Sequence, residues 1–303
     1  MRLVVSLAVA MVVVAAPASA RPVEWHYTEG GPGGGRYSPL TDIDKANVGD
    51  LEVAWTYRHG DVVDRRWRPD RVNRSTAFEG TPIVVDGRLF LTTPTNRVVA
   101  LNAETGAELW SYDPEIDLGR FFANMIINRG VAYWRDERAI GPCSRRLFMA
   151  TLDARLIALD AASGILCANF GEQGAVDLRR GIEPLVDDWE LNNTSPPTVV
   201  GDVVVVGSSI ADTIRRVGPP GDVRGFDART GALLWTFHTI PAPDEPGAET
   251  WEKNGREHAG HANVWSTMTA DLERGLVFLP VATAGPDFYG GDRLGDNLYA
   301  NSV

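Results

Sequence analysis

Few residues of this chain announce chemistry by type and spacing alone. His258 and His261 form an H-x-x-H, a spacing that can clamp a metal, but they lie in a glycine-rich stretch behind Pro241, Pro243 and Pro246. They read as loop residues placed to line the mouth of a pocket. The glycines of 30–35 have no helix behind them whose N–H groups could hold a phosphate, so they read as a flexible approach to the domain. Arginines cluster within 65–74 and read as a solvated loop. Cys143 and Cys167 form no C-x-x-C and have no histidine nearby to complete a tetrahedral zinc shell.

The compartment decides what those cysteines do. Residues 1–20 carry Arg2, an apolar run over 3–16 and the small-residue ending Ala18-Ser19-Ala20, the design of a signal peptide cleaved after Ala20. An uncleaved anchor is the alternative, although the run is short for a membrane span. Export places both cysteines under oxidising conditions, where a Cys143–Cys167 disulfide is expected to contribute roughly 3 to 4 kcal/mol through loop closure. The formal net charge is −11, and −12 once Arg2 is removed, which argues against nucleic acid as a partner.

Whatever acts chemically must be held by a repeating unit. Leu101-Asn102-Ala103-Glu104-Thr105-Gly106 running on to Trp110, Leu159-Asp160-Ala161-Ala162-Ser163-Gly164, and Phe226-Asp227-Ala228-Arg229-Thr230-Gly231 running on to Trp235 are three copies of one segment, 58 and 67 residues apart. In each, Asp or Asn ties down the backbone, Thr or Ser adds a hydroxyl, and Gly supplies a position with φ above zero. Apolar residues flank the copies, so each is a hairpin tip. Residues 81–92 and 195–208 read as strand, turn, strand, with Asp86-Gly87 and Gly201-Asp202 at the turns, and 276–280 opens a third such pair. The unit is therefore about four short antiparallel strands, with no convincing helical stripe between copies. Radial stacking of such sheets makes an all-β fold, a β-propeller of four-stranded antiparallel blades, with the recurring Trp packing between blades.

The segments between the turns carry a further pattern: Arg36-Tyr37-Ser38-Pro39-Leu40, Asn47-Val48 with Ala54-Trp55 and Gly60-Asp61, Glu79-Gly80-Thr81-Pro82, Asn128-Arg129-Gly130-Val131, Thr194-Ser195-Pro196-Pro197, Val223-Arg224-Gly225-Phe226-Asp227 and Tyr289-Gly290-Gly291. In these the chain resembles the quinoprotein dehydrogenases that use pyrroloquinoline quinone (PQQ), and the glucose dehydrogenase branch more than the methanol dehydrogenase branch. The resemblance implies an eight-bladed propeller, about half of it present here, with PQQ lying flat near the axis. Residues 1–20 are then the leader, and 21–303 the N-terminal portion of the PQQ-binding domain.

Site residues follow from the resemblance one by one. Glu79, otherwise a solvated strand-edge carboxylate, matches the family's PQQ-binding acid. Arg129, otherwise a surface arginine in a turn, matches the arginine that pairs with a cofactor carboxylate, a task suited to a planar guanidinium. Thr194 and Ser209 match hydroxyl donors to the cofactor, and Ala211 a small residue whose backbone approaches it. Trp265, otherwise one more blade-packing aromatic, matches the tryptophan stacked under the quinone plane. Asp212 matches the acidic ligand of a calcium ion that polarises the quinone carbonyl.

Three departures accompany these matches. The family's second side-chain calcium donor stands just before the proline equivalent to Pro286, and here that residue is Gly285. The vicinal cysteines of the alcohol dehydrogenase branch are replaced by Ala123 and Asn124, and the histidine of the glucose dehydrogenase branch by Met125, whose thioether can still pack on a ring face. The catalytic aspartate that accepts the substrate hydroxyl proton is expected beyond Val303, so the chain is read as the N-terminal part of an enzyme and as inactive alone.

The resemblance thus implies oxidation of a sugar or polyol hydroxyl, with hydride passing to PQQ and electrons onward to ubiquinone or a cytochrome. Peripheral contact with the inner membrane is a further expectation. The alternatives are a PQQ-dependent alcohol dehydrogenase, which would be expected to carry the vicinal cysteines, and a non-enzymatic PQQ-like-repeat scaffold, which would lack Glu79, Arg129, Asp212 and Trp265 together.

Overall fold

The repeated segment closes on itself through its own side chains. The computed structural model describes residues 23–62, 75–183, 187–212 and 214–303; the predicted leader at 1–20 and the arginine cluster of 65–74 lie outside the described residues. Asn102 Oδ1 accepts hydrogen bonds from the Glu104 N–H (3.0 Å), the Thr105 N–H (2.8 Å) and the Thr105 hydroxyl (3.0 Å). Asp160 Oδ1 does the same for Ala162 and Ser163, and Asp227 Oδ1 for Arg229 and Thr230. Gly106, Gly164 and Gly231 then take φ of 71°, 73° and 73°, a left-handed conformation that glycine adopts without a Cβ penalty.

These tips join the third and fourth strands of three antiparallel sheets. The first sheet orders β1 (Ile83–Val85), β2 (Arg88–Thr92), β3 (Val98–Asn102) and β4 (Glu108–Tyr112). In the second are β5 (Ala132–Arg135), β6 (Arg145–Ala150), β7 (Arg155–Asp160) and β8 (Ala175–Asp177). A short β9 (Leu191–Asn192) precedes the third sheet, whose strands are β10 (Thr198–Val200), β11 (Val203–Val206), β13 (Val223–Asp227) and β14 (Leu233–Phe237). Between its second and third strands the chain leaves the sheet to form β12 (Ser209–Ile210), which pairs with β9. A hairpin of β15 (Thr269–Asp271) and β16 (Leu276–Phe278) begins the fourth unit. The strand read at 276–280 is thus the second of its hairpin; the first, Thr-Ala-Asp, is too short and polar to show an apolar pattern.

Sheets pack face to face, and the core lies between them. Side chains alternate along a strand, so Leu147, Met149, Ile157 and Leu159 face Ile83, Phe90 and Val98 of the first sheet. Phe148, Ala150, Leu156 and Ala158 face Val204 and Phe226 of the third. Buried on both faces, β6 and β7 read as nearly continuous apolar runs. The turn glycines dock on the preceding neighbour: a Cβ on Gly164 would come within 2.5 Å of the Trp110 ring, and one on Gly231 would meet Gly171 and Val176. Trp110 is the expected inter-blade tryptophan, whereas Trp235 packs on Gly225 of its own sheet and is 36% exposed.

Two further features hold the units: a cross-link inside the second and a strap from the first to the fourth. Cys143 and Cys167 are joined as a disulfide, with Cα atoms 5.7 Å apart, beside the second turn, whose Asp160 Oδ2 accepts the Cys143 N–H at 2.6 Å. The glycine-containing approach is not a loose lead-in. Trp25 exchanges two backbone hydrogen bonds with Val84, and Pro32 O accepts the Ala270 N–H, so this stretch spans from the first sheet to the fourth unit. Among the described residues no helix is long and apolar enough to cross a membrane.

Candidate cofactor-binding site

Each unit opens with its innermost strand, and the segment just before that strand carries one of the expected side chains. Glu79 stands four residues before β1, Arg129 three before β5, Thr194 four before β10 and Trp265 four before β15. The same structural place in four successive units is thus used four times. Inter-unit hydrogen bonds stitch these segments together. Thr81 N–H donates to Arg129 O and Arg129 N–H to Thr194 O, both at 3.0 Å, and the Ser195 hydroxyl donates to Trp265 O.

Arg129 is the hub. Its Nη2 lies 2.8 Å from the Glu79 carboxylate, its Nη1 donates to Thr194 Oγ1 at 2.8 Å, and its Cζ sits 5.4 Å from the Trp265 ring centroid. A guanidinium so placed offers a fork of donors to a carboxylate and a positive charge over an aromatic face. Trp265 is 48% exposed, which leaves its ring open to a planar ligand.

The excursion after β11 brings the remaining predicted residues to the same place. Arg129, Thr194, Ser209, Asp212 and Trp265 line one cavity of about 340 Å³, a size within the roughly 300–1,000 Å³ of small-molecule sites. Glu79 reaches it through Arg129, and Ala211 lies behind it, its carbonyl accepting from His261 Nε2 at 2.9 Å. At the place of the missing cysteines the wall is Asn124, which donates to Asn192 Oδ1 at 3.2 Å. Met125, whose thioether can pack on a ring face, is 39% exposed and is not among the residues of this wall.

Sequence reasoning missed several residues that complete the site. Asn128, Asn193 and Asn263 are buried one or two positions ahead of Arg129, Thr194 and Trp265. Their amides donate to Ala150 O, Gly207 O and Ser208 O, pinning the inner segments to the end of β6 and to the loop after β11. The recurrence of Asn one or two positions ahead of three of the site residues was the available signal. His261, read as a loop residue at a pocket mouth, is 2% exposed in the cavity wall, while His258 is exposed at the end of the 3₁₀ helix Glu252–His258. Asp287 also lines the cavity and had no signal. Burial, and then the charge of the adjoining Asp212, push its carboxyl above the usual aspartate range, against the pull of His261 and Arg293.

The donors fit a flat, polyanionic ligand bound with a hard cation. Arginine and two hydroxyls face the cavity for carboxylate and carbonyl groups, an aromatic ring offers its face, and two carboxylates supply oxygen donors. His261 Nδ1 is buried without a hydrogen-bond partner among the described residues, which marks the site as polar and unsatisfied as it stands. No three His, Cys, Asp or Glu side chains among the described residues form a ready-made metal site, so a cation there would draw further oxygens from the ligand, the backbone or water.

Comparison with known proteins agrees with this geometry. Residues 25–303 match the family described as PQQ: glucose/ethanol/alcohol dehydrogenase, β-propeller domain. The chain is 34% identical over 284 residues to quinoprotein glucose dehydrogenase A of Acinetobacter calcoaceticus, covering 89% of this chain and 34% of that protein. To the glycerol dehydrogenase large subunit of Gluconobacter thailandicus it is 35% identical, over 84% of this chain and 33% of that one. Its fold superposes on quinohemoprotein alcohol dehydrogenase from Comamonas testosteroni with a TM-score of 0.70 at 27% identity, covering 93% of this chain and 39% of that one. The chain thus spans about a third of the length of the relatives it matches. Four-stranded sheets stacked around a cavity fed by each inner strand, and a match along nearly the whole length, make one conclusion plain: the chain belongs to the PQQ glucose/ethanol/alcohol dehydrogenase β-propeller family.

Proposed function

We propose that this chain is the PQQ-holding part of an exported, periplasmic dehydrogenase that oxidises the hydroxyl of a sugar or polyol. The observation that carries the reading is the convergence of Glu79, Arg129, Thr194 and Trp265, one from each of four successive units, on a cavity that Ser209 and Asp212 also line. A scaffold propeller has no need for a guanidinium, hydroxyls, a carboxylate and an open indole at one place.

When bound, PQQ would supply a quinone that accepts a hydride equivalent, two electrons with one proton, from a CH–OH group, and calcium would supply a Lewis acid for a quinone oxygen. The protein's part is to bind and orient. Trp265 offers its exposed face to the ring system, and Arg129, held in place by Glu79 and Thr194, presents donors to a carboxylate. Thr194 and Ser209 add hydroxyl hydrogen bonds, Ala211 directs its carbonyl to His261, and Asp212 holds an oxygen ligand at the wall. Electrons then leave to ubiquinone or a cytochrome, with peripheral contact at the inner membrane.

Support for a sugar or polyol comes from likeness to quinoprotein glucose dehydrogenase and to glycerol dehydrogenase. Likeness in fold to quinohemoprotein alcohol dehydrogenase favours a second reading, a simple alcohol as substrate; Ala123 and Asn124, where that branch carries vicinal cysteines, count against it. Titration of the chain with PQQ and calcium should shift the quinone absorbance and raise the unfolding temperature, and no change in either would remove the cofactor reading. Dye reduction by the protein containing this chain, with glucose, glycerol and ethanol compared by kcat/KM, separates the two substrate readings.

A further inference from the structure

Gly285 occupies the place where relatives carry a second side-chain donor to the cation, and the structure shows why it is glycine. A Cβ at 285 would collide with Nδ1 and Cε1 of His261. That ring cannot easily yield, because it is 2% exposed and its Nε2 is hydrogen-bonded to Ala211 O at 2.9 Å. A carbonyl only accepts, so Nε2 carries a proton. Nδ1 has no partner among the described residues and faces the Gly285 backbone at the cavity.

Two positions further along, Asp287 lines the same cavity as Asp212. Two carboxylates lining one cavity repel each other unless a proton or a cation lies between them. Resting on the cofactor reading above, we propose that Asp287 supplies the second carboxylate to the cation held by Asp212, replacing a ligand that His261 denies to residue 285. Hard divalent cations take six to eight oxygens, and two carboxylates from separate loops anchor such a shell while leaving the rest to the bound quinone.

Calorimetric titration of the PQQ-loaded chain with calcium chloride tests this without reference to turnover. Asp212→Asn and Asp287→Asn should each weaken calcium binding by roughly tenfold or more, since affinity follows the ligand charge count. Asp287→Glu should bind calcium within about threefold of wild type, and Asp296→Asn, an exposed aspartate outside the cavity, should match wild type. Unfolding temperatures without calcium should be equal across the set. If Asp287→Asn binds calcium as wild type does while Asp212→Asn does not, or if Asp287→Glu fails as badly as Asp287→Asn, the assignment of Asp287 is overturned and the cofactor reading stands. If the wild-type chain binds PQQ but no calcium, the metal site as a whole is wrong. Failure to bind PQQ at all removes both.

Discussion

The rim turns and the axial cavity are built on opposite plans. At the rim, one Asp or Asn oxygen satisfies three donors within three residues, three times over, with distances that differ between copies by no more than 0.2 Å. At the cavity, Arg129 needs Glu79, Thr194 and Trp265, residues 50 to 136 positions away, and His261 Nδ1 is left unpaired. Local closure makes the rim repeat; dependence on distant partners frees each unit to donate a different group. The repeat provides geometry, and the departures from it provide chemistry.

Mutations should separate the two plans. The largest effect belongs to the packing that both share: Leu159→Ala, fully buried between the first two sheets, should lower unfolding free energy by about 2–5 kcal/mol in urea titrations. Arg129→Ala should act on the cavity instead. Loss of a charged hydrogen-bond partner of about 1.5–3 kcal/mol corresponds to roughly ten- to hundredfold weaker PQQ binding, with the urea midpoint little changed. If the midpoint falls as far as in Leu159→Ala, Arg129 is a structural strut and the contrast collapses. Thr230→Val, which deletes one turn hydroxyl, should cost about 1 kcal/mol and leave PQQ affinity as it is.

The smallest effect sharpens the comparison among the turns themselves. Burial works to raise the Asp160 carboxyl, but the Cys143 N–H and the Ser163 and Ala162 donors outweigh it and hold the group below the usual aspartate value of 3.8. A depressed carboxyl stabilises the fold fully above its unfolded value, and that contribution is lost as pH falls through the folded value. Asp160→Asn should therefore be less stable than wild type at pH 7, where it cannot accept the Cys143 N–H as a charged oxygen does, and the gap should narrow below about pH 4. A gap that stays constant down to pH 3 would mean that the charge contributes nothing beyond what Asn102 achieves in the first turn.

The strands around each turn were legible because their signals are local. Residues 81–92 and 195–208 alternate around an obvious Asp-Gly or Gly-Asp, and the hairpins form there. Thr269–Asp271 was not legible, since its three residues pair with Leu276–Phe278 without an apolar pattern of their own. In the site, Glu79, Arg129, Thr194, Ser209, Asp212 and Trp265 were identified through resemblance, and their convergence is what the fold adds. Asn128, Asn193 and Asn263 were present in the chain as a recurring residue ahead of each of three site residues, but a buried amide looks like any other asparagine until its partner is known.

By itself the sequence determined the sheet-forming repeat and its turns, because those depend on hydrogen bonds closed within six residues and on alternation along single strands. Only the tertiary structure decided that His261 lies inside the cavity wall, that it excludes any side chain at 285, and that Asp287 and Asp212 line one cavity. Those relations join residues 24 to 75 positions apart through the packing of separate units, and no local pattern encodes a distance across the axis.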